Sequence, residues 1–132
     1  MLEAPSYSPR PDPDGLRDEA WIAPLLVLHG HGVDHVVAGE AAAATYGTRP
    51  PEPGPLTVVP APYGRNRDRL AAALRDLEAE GLTIEVSHQP AGTDGFRDLL
   101  DDARPVRIAG DLEVLVASSE DLSRMREAEA NA

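Results

Sequence analysis

The stretch VDHVVAGEAAAATYGTRPPEPGPLTVV, residues 33–59, decides the fold of this chain. Its valine-rich start, 33–38, is typical of a strand, and Gly39 permits a turn directly after it. The alanines of 41–46 then predict a short helix, and a proline-rich loop leads to a second strand at 56–59. A strand, a helix and a strand in succession indicate a sheet covered by helices.

A longer helix follows this stretch. Residues 66–80 carry apolar side chains at the i, i+3, i+4, i+7 spacing of one helical face, which predicts an amphipathic helix. These side chains are Leu70, Ala73, Leu74 and Leu77. We expect the leucines to be buried and Asn66 to cap the start of the helix.

Further elements flank this core on both sides. Upstream, residues 16–29 predict a helix in which Pro24 either causes a kink or lies in the first turn. Downstream, the predicted elements are a strand at 82–87, a helical turn at 96–103, extended stretches at 105–108 and 111–117, and a last helix ending near residue 130. We expect Ser118 or Ser119 to cap that last helix.

The N-terminal segment differs in composition from the rest of the chain. Residues 1–15 contain four prolines and few apolar side chains, so we expect a flexible arm there. The remaining residues, 16–132, are long enough for one α/β domain and too short for two ordinary cores. No internal repeat is visible in the sequence.

Composition excludes several classes of function. The chain has 23 acidic residues and 12 basic ones, with a formal net charge of −11, so we expect no sequence-independent binding to nucleic acid. All the basic residues are arginines and cysteine is absent, which excludes lysine-based and thiol chemistry. No apolar stretch is long enough to cross a bilayer, so we expect no membrane association and a cytoplasmic protein.

At residues 20–129 the chain resembles the nucleotidyltransferase-like superfamily, which includes small bacterial proteins of the nucleotidyltransferase antitoxin type. The segments that carry the resemblance are GVDHVVAGEAAAATYG, TRP, PLTVVP, NRDRLAAAL, PAGTDGFRDLL and VLVASSEDLSRMREAE, in that order. Each segment is short, and the resemblance rests on the order and spacing of the segments. The resemblance implies one domain with a mixed sheet and with helices packed mainly on one side.

The resemblance also implies a site for nucleotidyl transfer, in which paired strand aspartates and a third carboxylate hold two Mg²⁺ ions. This chain places Pro55 and Thr57 at the paired positions, and neither supplies a carboxylate. Glu85 matches the third position. Gly39 and Glu40 match the glycine-rich turn that approaches the phosphates, where Glu40 would repel them. Arg126 stands where relatives often have lysine.

Other polar residues have simpler interpretations. Glu52 is a candidate replacement ligand in a loop that places carboxylates poorly. The histidines His29, His31, His35 and His88 are candidate metal ligands. The alternative for His29 and His31 is that they cap the end of a helix. Arg65, Arg67 and Arg69 form either a phosphate-binding patch or, with nearby acidic residues, a solvated helix face.

The sequence therefore predicts a protein without catalytic activity, which acts by binding a partner protein or by self-association. No resident cofactor is expected, and Mg²⁺ is required only if the chain is an enzyme. Two alternatives stay open: an active nucleotidyltransferase that uses Glu85 with other ligands, and a regulator that binds a nucleotide beside Gly39 and Glu40 without catalysis.

Overall fold

The computed structural model describes residues 9–131 of the chain. It has five α-helices and five strands, close to the predicted positions. In chain order these are α1 (Glu19–Gly30), β1 (His35–Ala38), α2 (Gly39–Thr45), β2 (Leu56–Pro60), α3 (Asn66–Ala79), β3 (Ile84–Val86), α4 (Phe96–Asp102), β4 (Arg104–Ala109), β5 (Leu112–Val116) and α5 (Ser119–Ala130). This order confirms the predicted α/β class.

The five strands form one mixed sheet with the order β3-β2-β1-β5-β4. β1 is antiparallel to β2 and parallel to β5, whereas β3 is parallel to β2 and β4 is antiparallel to β5. All four residues of β1 are buried, because the central strand is covered on both faces. The first two strands in the chain, β1 and β2, are therefore neighbours in the sheet.

The long helix α3 packs against α1, and one prediction about its buried face is wrong. Leu70, Ala73 and Leu77 are buried, but Leu74 is 37% exposed. The i, i+3, i+7 positions therefore form the buried stripe. Leu74 lies at the edge of this stripe and borders a shallow depression beside Ile84 of β3.

Asn66 does not cap α3 as predicted. Arg65 occupies the capping position, and Asn66 is the first residue of the helix. The Asn66 side chain accepts a hydrogen bond from the Asp34 main-chain N–H at 2.6 Å and donates to the carbonyls of Asp34 and Ala61 at 3.0 and 2.8 Å. It is buried because it joins the segment before β1 to the segment after β2.

Helix α1 begins five residues before Pro24 rather than in the turn that contains it. The carboxylate of Asp18 accepts a hydrogen bond from the Ala20 N–H at 2.9 Å, which fixes this start. Trp21, Leu25 and Leu28 are buried on its inner face. Within 9–131, no helix is both long and apolar enough to cross a membrane.

The domain begins earlier than residue 16. Residues 13–16 form a 3-10 turn in which Gly15 is buried, and the Asp12 N–H donates to the Thr45 carbonyl at 2.6 Å. A side chain at residue 15 would clash with the backbone of Ala44, so glycine permits this close contact with α2. Of the predicted flexible arm, residues 1–8 lie outside the part of the chain that the structure describes.

Candidate functional site

Two of the positions that the sequence resemblance assigned to metal binding, Thr57 and Glu85, lie beside each other on the sheet. Ala38 is the register partner of Thr57, and Thr57 is the register partner of Glu85. Side chains that are paired across neighbouring strands point to the same face, so these three residues share one face of the sheet. Pro55 stands two residues before Thr57, at the entrance to β2.

Gly39 brings the start of α2 against this face. Its φ of +65° is in the left-handed region that favours glycine. A Cβ atom at residue 39 would lie 2.9 Å from Thr57 Oγ1 and 3.0 Å from Thr57 Cβ. The turn after β1 is therefore packed on β2, the strand that follows α2.

A cleft of about 550 Å³ opens over Thr57 and Glu85. We call it the Glu85 cleft. Its walls are the start of α2, the end of the 48–55 loop, the segment 87–91 and the face of α5 that carries Leu122 and Met125. Pro55 also lines it, and the greater part of its wall is apolar.

Glu40 has a structural contact in this site. Its Oε2 accepts a hydrogen bond from the Gly54 N–H at 3.1 Å, while the Gly54 carbonyl accepts one from Trp21 Nε1 at 2.9 Å. Since Trp21 is buried in α1, the loop that leads to Pro55 is held from both sides. The Glu40 carboxylate therefore fixes the wall of the cleft, a role that the sequence did not predict.

The opposite wall is held by contacts between the segment after β3 and α5. A Cβ atom at Gly92 would lie 2.8 Å from Ala128 Cβ, so this segment runs close against the last helix. Arg124 of α5 pairs with Asp98 of α4 and with Asp121, both at 3.0 Å. Together these contacts place Leu122 and Met125 opposite α2.

The charged side chains that line the Glu85 cleft are three glutamates and one arginine. They are Glu40, Glu85, Glu129 and Arg126. Glu85 is exposed, and within 9–131 none of Glu85, Glu129 and Arg126 forms an ion pair. The cleft therefore combines a mainly apolar wall with an excess of negative charge.

This donor set does not fit two Mg²⁺ ions. Mg²⁺ loses its waters reluctantly and is held by several anionic oxygens, whereas Pro55 offers no side-chain ligand and Thr57 a neutral hydroxyl. Among residues 9–131, no three histidine, aspartate or glutamate side chains come together in a way that suits a metal ion. A pair of Mg²⁺ ions therefore has no suitable donor set among these residues.

The other residues considered from the sequence lie apart from the cleft. Glu52 is exposed in the 48–55 loop and does not line the cleft. His31 Nε2 lies 2.6 Å from Asp76 Oδ2 and joins the end of α1 to α3. Ser118, rather than Ser119, caps α5: its side chain accepts a hydrogen bond from the Asp121 N–H at 3.1 Å.

His35 is buried at the start of β1, away from the Glu85 cleft. Its Nδ1 lies 3.1 Å from the Val33 carbonyl, and its Nε2 has no hydrogen-bond partner among the described residues. Burial lowers the pKa of His35, and the nearby Val33 carbonyl and Asp34 charge oppose this effect. A neutral imidazole therefore suits this position, where its ring packs in the core.

Sequence reasoning missed the wall that α5 provides. Leu122, Met125 and the segment 89–91 were not among the candidate site residues that the sequence indicated. The available signal was the spacing of Leu122, Met125, Arg126 and Glu129, which places them on one side of a helix.

No family model, curated protein or solved structure matches this chain at a significant level.

Proposed function

We propose that this chain is a non-catalytic relative of the nucleotidyltransferase-like proteins and that it binds a partner protein through the Glu85 cleft. The observation that carries the proposal is the chemistry of one sheet face. Thr57 and Glu85 are register partners below a cleft that Gly39 also lines, yet Pro55 and Thr57 stand at the positions that the resemblance assigns to the paired carboxylates. This combination supports a binding site without metal ligands.

The charges of the cleft favour a protein partner over a nucleotide. Three glutamates and one arginine line it, in a chain with a net charge of −11, and this field repels a triphosphate. The Glu40 carboxylate is hydrogen-bonded to the Gly54 N–H and stays at the turn where phosphates would approach. A cleft with a mainly apolar wall suits side chains of another polypeptide.

An assay for nucleotidyl transfer tests the absence of catalysis. The purified protein is incubated with each labelled nucleoside triphosphate, Mg²⁺ or Mn²⁺, and candidate protein acceptors. We expect no transfer and, by calorimetry, no binding of the nucleotides. Transfer that disappears in Glu85→Gln would overturn the proposal, and binding without transfer would favour a nucleotide-binding regulator.

Photo-crosslinking in cells tests the binding of a partner. A photoreactive phenylalanine analogue is introduced at Ala91, which is exposed and lines the Glu85 cleft. The matched control carries the same analogue at Ala71, which is exposed on α3 outside the cleft. We expect one protein, or a second copy of this chain, to be captured at Ala91 only. Equal capture at both positions would contradict binding through the cleft.

A further inference from the structure

The Glu85 cleft combines apolar and acidic side chains. Leu122 and Met125 line it from α5 with a small exposed part of each side chain, beside the exposed Pro55 and Ala91, and the carboxylates of Glu85 and Glu129 belong to exposed residues. This combination suits arginine and lysine side chains, because their aliphatic stems pack on apolar surface while the charged group stays near water.

We infer that the occupant of the Glu85 cleft is a basic segment of the partner protein, with an arginine or lysine side chain lying between Glu85 and Glu129. Its stem packs against Leu122 and Met125, and its charged group meets the two carboxylates. This inference rests on the proposed function and specifies the chemistry of the partner.

The charges of the cleft favour a cation over any other occupant. Glu85 and Glu129 have no ion pair within 9–131, so an incoming cation does not have to displace a partner from either one. Arg126 is the one basic side chain among the described residues that line the cleft. The net field attracts a basic segment and repels an acidic one.

The size of the cleft favours a polypeptide over a free cation. A volume of about 550 Å³ lies within the range of sites that enclose a ligand of several groups, and it exceeds what one small cation fills. The apolar wall would stay uncovered by such a cation. A segment with apolar residues beside its arginine or lysine covers the wall and supplies the charge.

Binding of model peptides tests the inference. The probes are a labelled six-residue peptide of alanine and leucine with two arginines, and matched peptides with glutamine or glutamate in place of arginine. We expect the arginine peptide to bind in a saturable way, measured by fluorescence anisotropy, and the glutamate peptide not to bind. The affinity of the arginine peptide should fall when the salt concentration is raised from about 0.05 M to about 0.5 M, because salt screens exposed charges.

Variants of the cleft give effects of opposite sign. Glu85→Gln and Glu129→Gln should each weaken binding of the arginine peptide about two- to fivefold, as expected for exposed ion pairs. Arg126→Gln should strengthen it by a similar factor, because it removes the repelling charge. Glu127→Gln is the matched control, since Glu127 is exposed on the same helix and does not line the cleft.

The outcomes separate this inference from the proposed function. Three results would contradict the inference that the occupant is a basic segment. They are no saturable binding of the arginine peptide, equal binding of the glutamate peptide, and an equal loss of affinity in Glu127→Gln. If a protein is nevertheless captured at Ala91, the proposed function stands without it. Nucleotidyl transfer that requires Glu85 would overturn both.

Discussion

Thr57 packs so closely on Gly39 that a side chain at residue 39 would begin 2.9 Å from the Thr57 hydroxyl oxygen. This contact joins the turn after β1 to the middle of the site. It requires a residue that has no Cβ atom and tolerates a φ of +65°. The contact therefore gives the glycine turn a structural role that does not depend on binding phosphate.

Gly39→Ala should destabilise the protein for two reasons. Alanine costs roughly 1–2 kcal/mol in the left-handed region, and the new methyl group meets Thr57. Gly81→Ala is the control, because Gly81 has a similar φ of +71° and open space around its Cβ position. In urea unfolding we expect the larger loss of stability for Gly39→Ala. Equal losses would show that contact between a methyl group at residue 39 and Thr57 does not destabilise the protein.

Placing carboxylates at residues 55 and 57 should create metal binding. In Pro55→Asp/Thr57→Asp, two carboxylates two residues apart join Glu85 on the same face of the sheet. We expect the affinity for Mn²⁺, measured by calorimetry, to rise at least about tenfold over that of the natural chain. Adding Glu85→Gln should remove this gain. If Glu85→Gln does not change the Mn²⁺ affinity of the double variant, the side chains at residues 55, 57 and 85 do not bind the same metal ion.

Asn66→Asp should destabilise the protein through the loss of two hydrogen bonds. Aspartate keeps the acceptor for the Asp34 N–H but cannot donate to the carbonyls of Asp34 and Ala61. Each lost hydrogen bond costs about 1 kcal/mol, and burial of the new charge adds to the loss. Asp68→Asn on the exposed part of α3 is the control and should have little effect on thermal unfolding.

Ser118→Ala should lower the free energy of unfolding by about 1 kcal/mol, because the Ser118 side chain accepts the hydrogen bond that starts α5. Ser119→Ala should change it by less than about 0.5 kcal/mol, since within 9–131 the Ser119 side chain donates only one exposed hydrogen bond, to Glu120 at 3.3 Å. Chemical denaturation of both variants compares the two directly. Equal effects would contradict the assignment of Ser118 as the cap.

The sequence predicted the elements well because each has a local signal. The valines of β1 and β2, the glycine between β1 and α2, and the spacing in α3 act over a few residues, and the structure confirms the α/β class. Leu74 was assigned to the core because its spacing suits one helical face. Which edge of that face is covered depends on where α1 lies, and spacing in α3 does not encode this.

The cleft was less predictable, because it joins residues that are far apart in the chain. Thr57 and Glu85 were placed together by resemblance, and the pairing of β2 with β3 puts them side by side. Met125 lies opposite them only because the last helix returns to the sheet. The hydrogen bond from the Gly54 N–H to Glu40 depends on the path of a proline-rich loop, which local patterns leave open.

The buried imidazole of His35 should make stability depend on pH. Burial lowers its pKa in the folded protein, whereas in the unfolded chain the value stays near 6.5. The unfolded chain therefore binds more protons below this pH, and folding loses stability as the pH falls from about 6.5 toward the lower folded-state pKa. The largest slope for one group is about 1.4 kcal/mol per pH unit.

His35→Gln isolates this effect, because glutamine is polar but does not titrate. The free energy of unfolding is measured in urea for both proteins at several pH values from about 7.5 down to about 5. The difference in the free energy of unfolding between the two proteins should stay constant above about pH 7. As the pH falls further, it should shift in favour of the variant. A lower absolute stability of the variant does not change this slope, so the test does not depend on how well glutamine packs. A difference that is independent of pH would show that His35 takes up a proton equally well in the folded and unfolded chains.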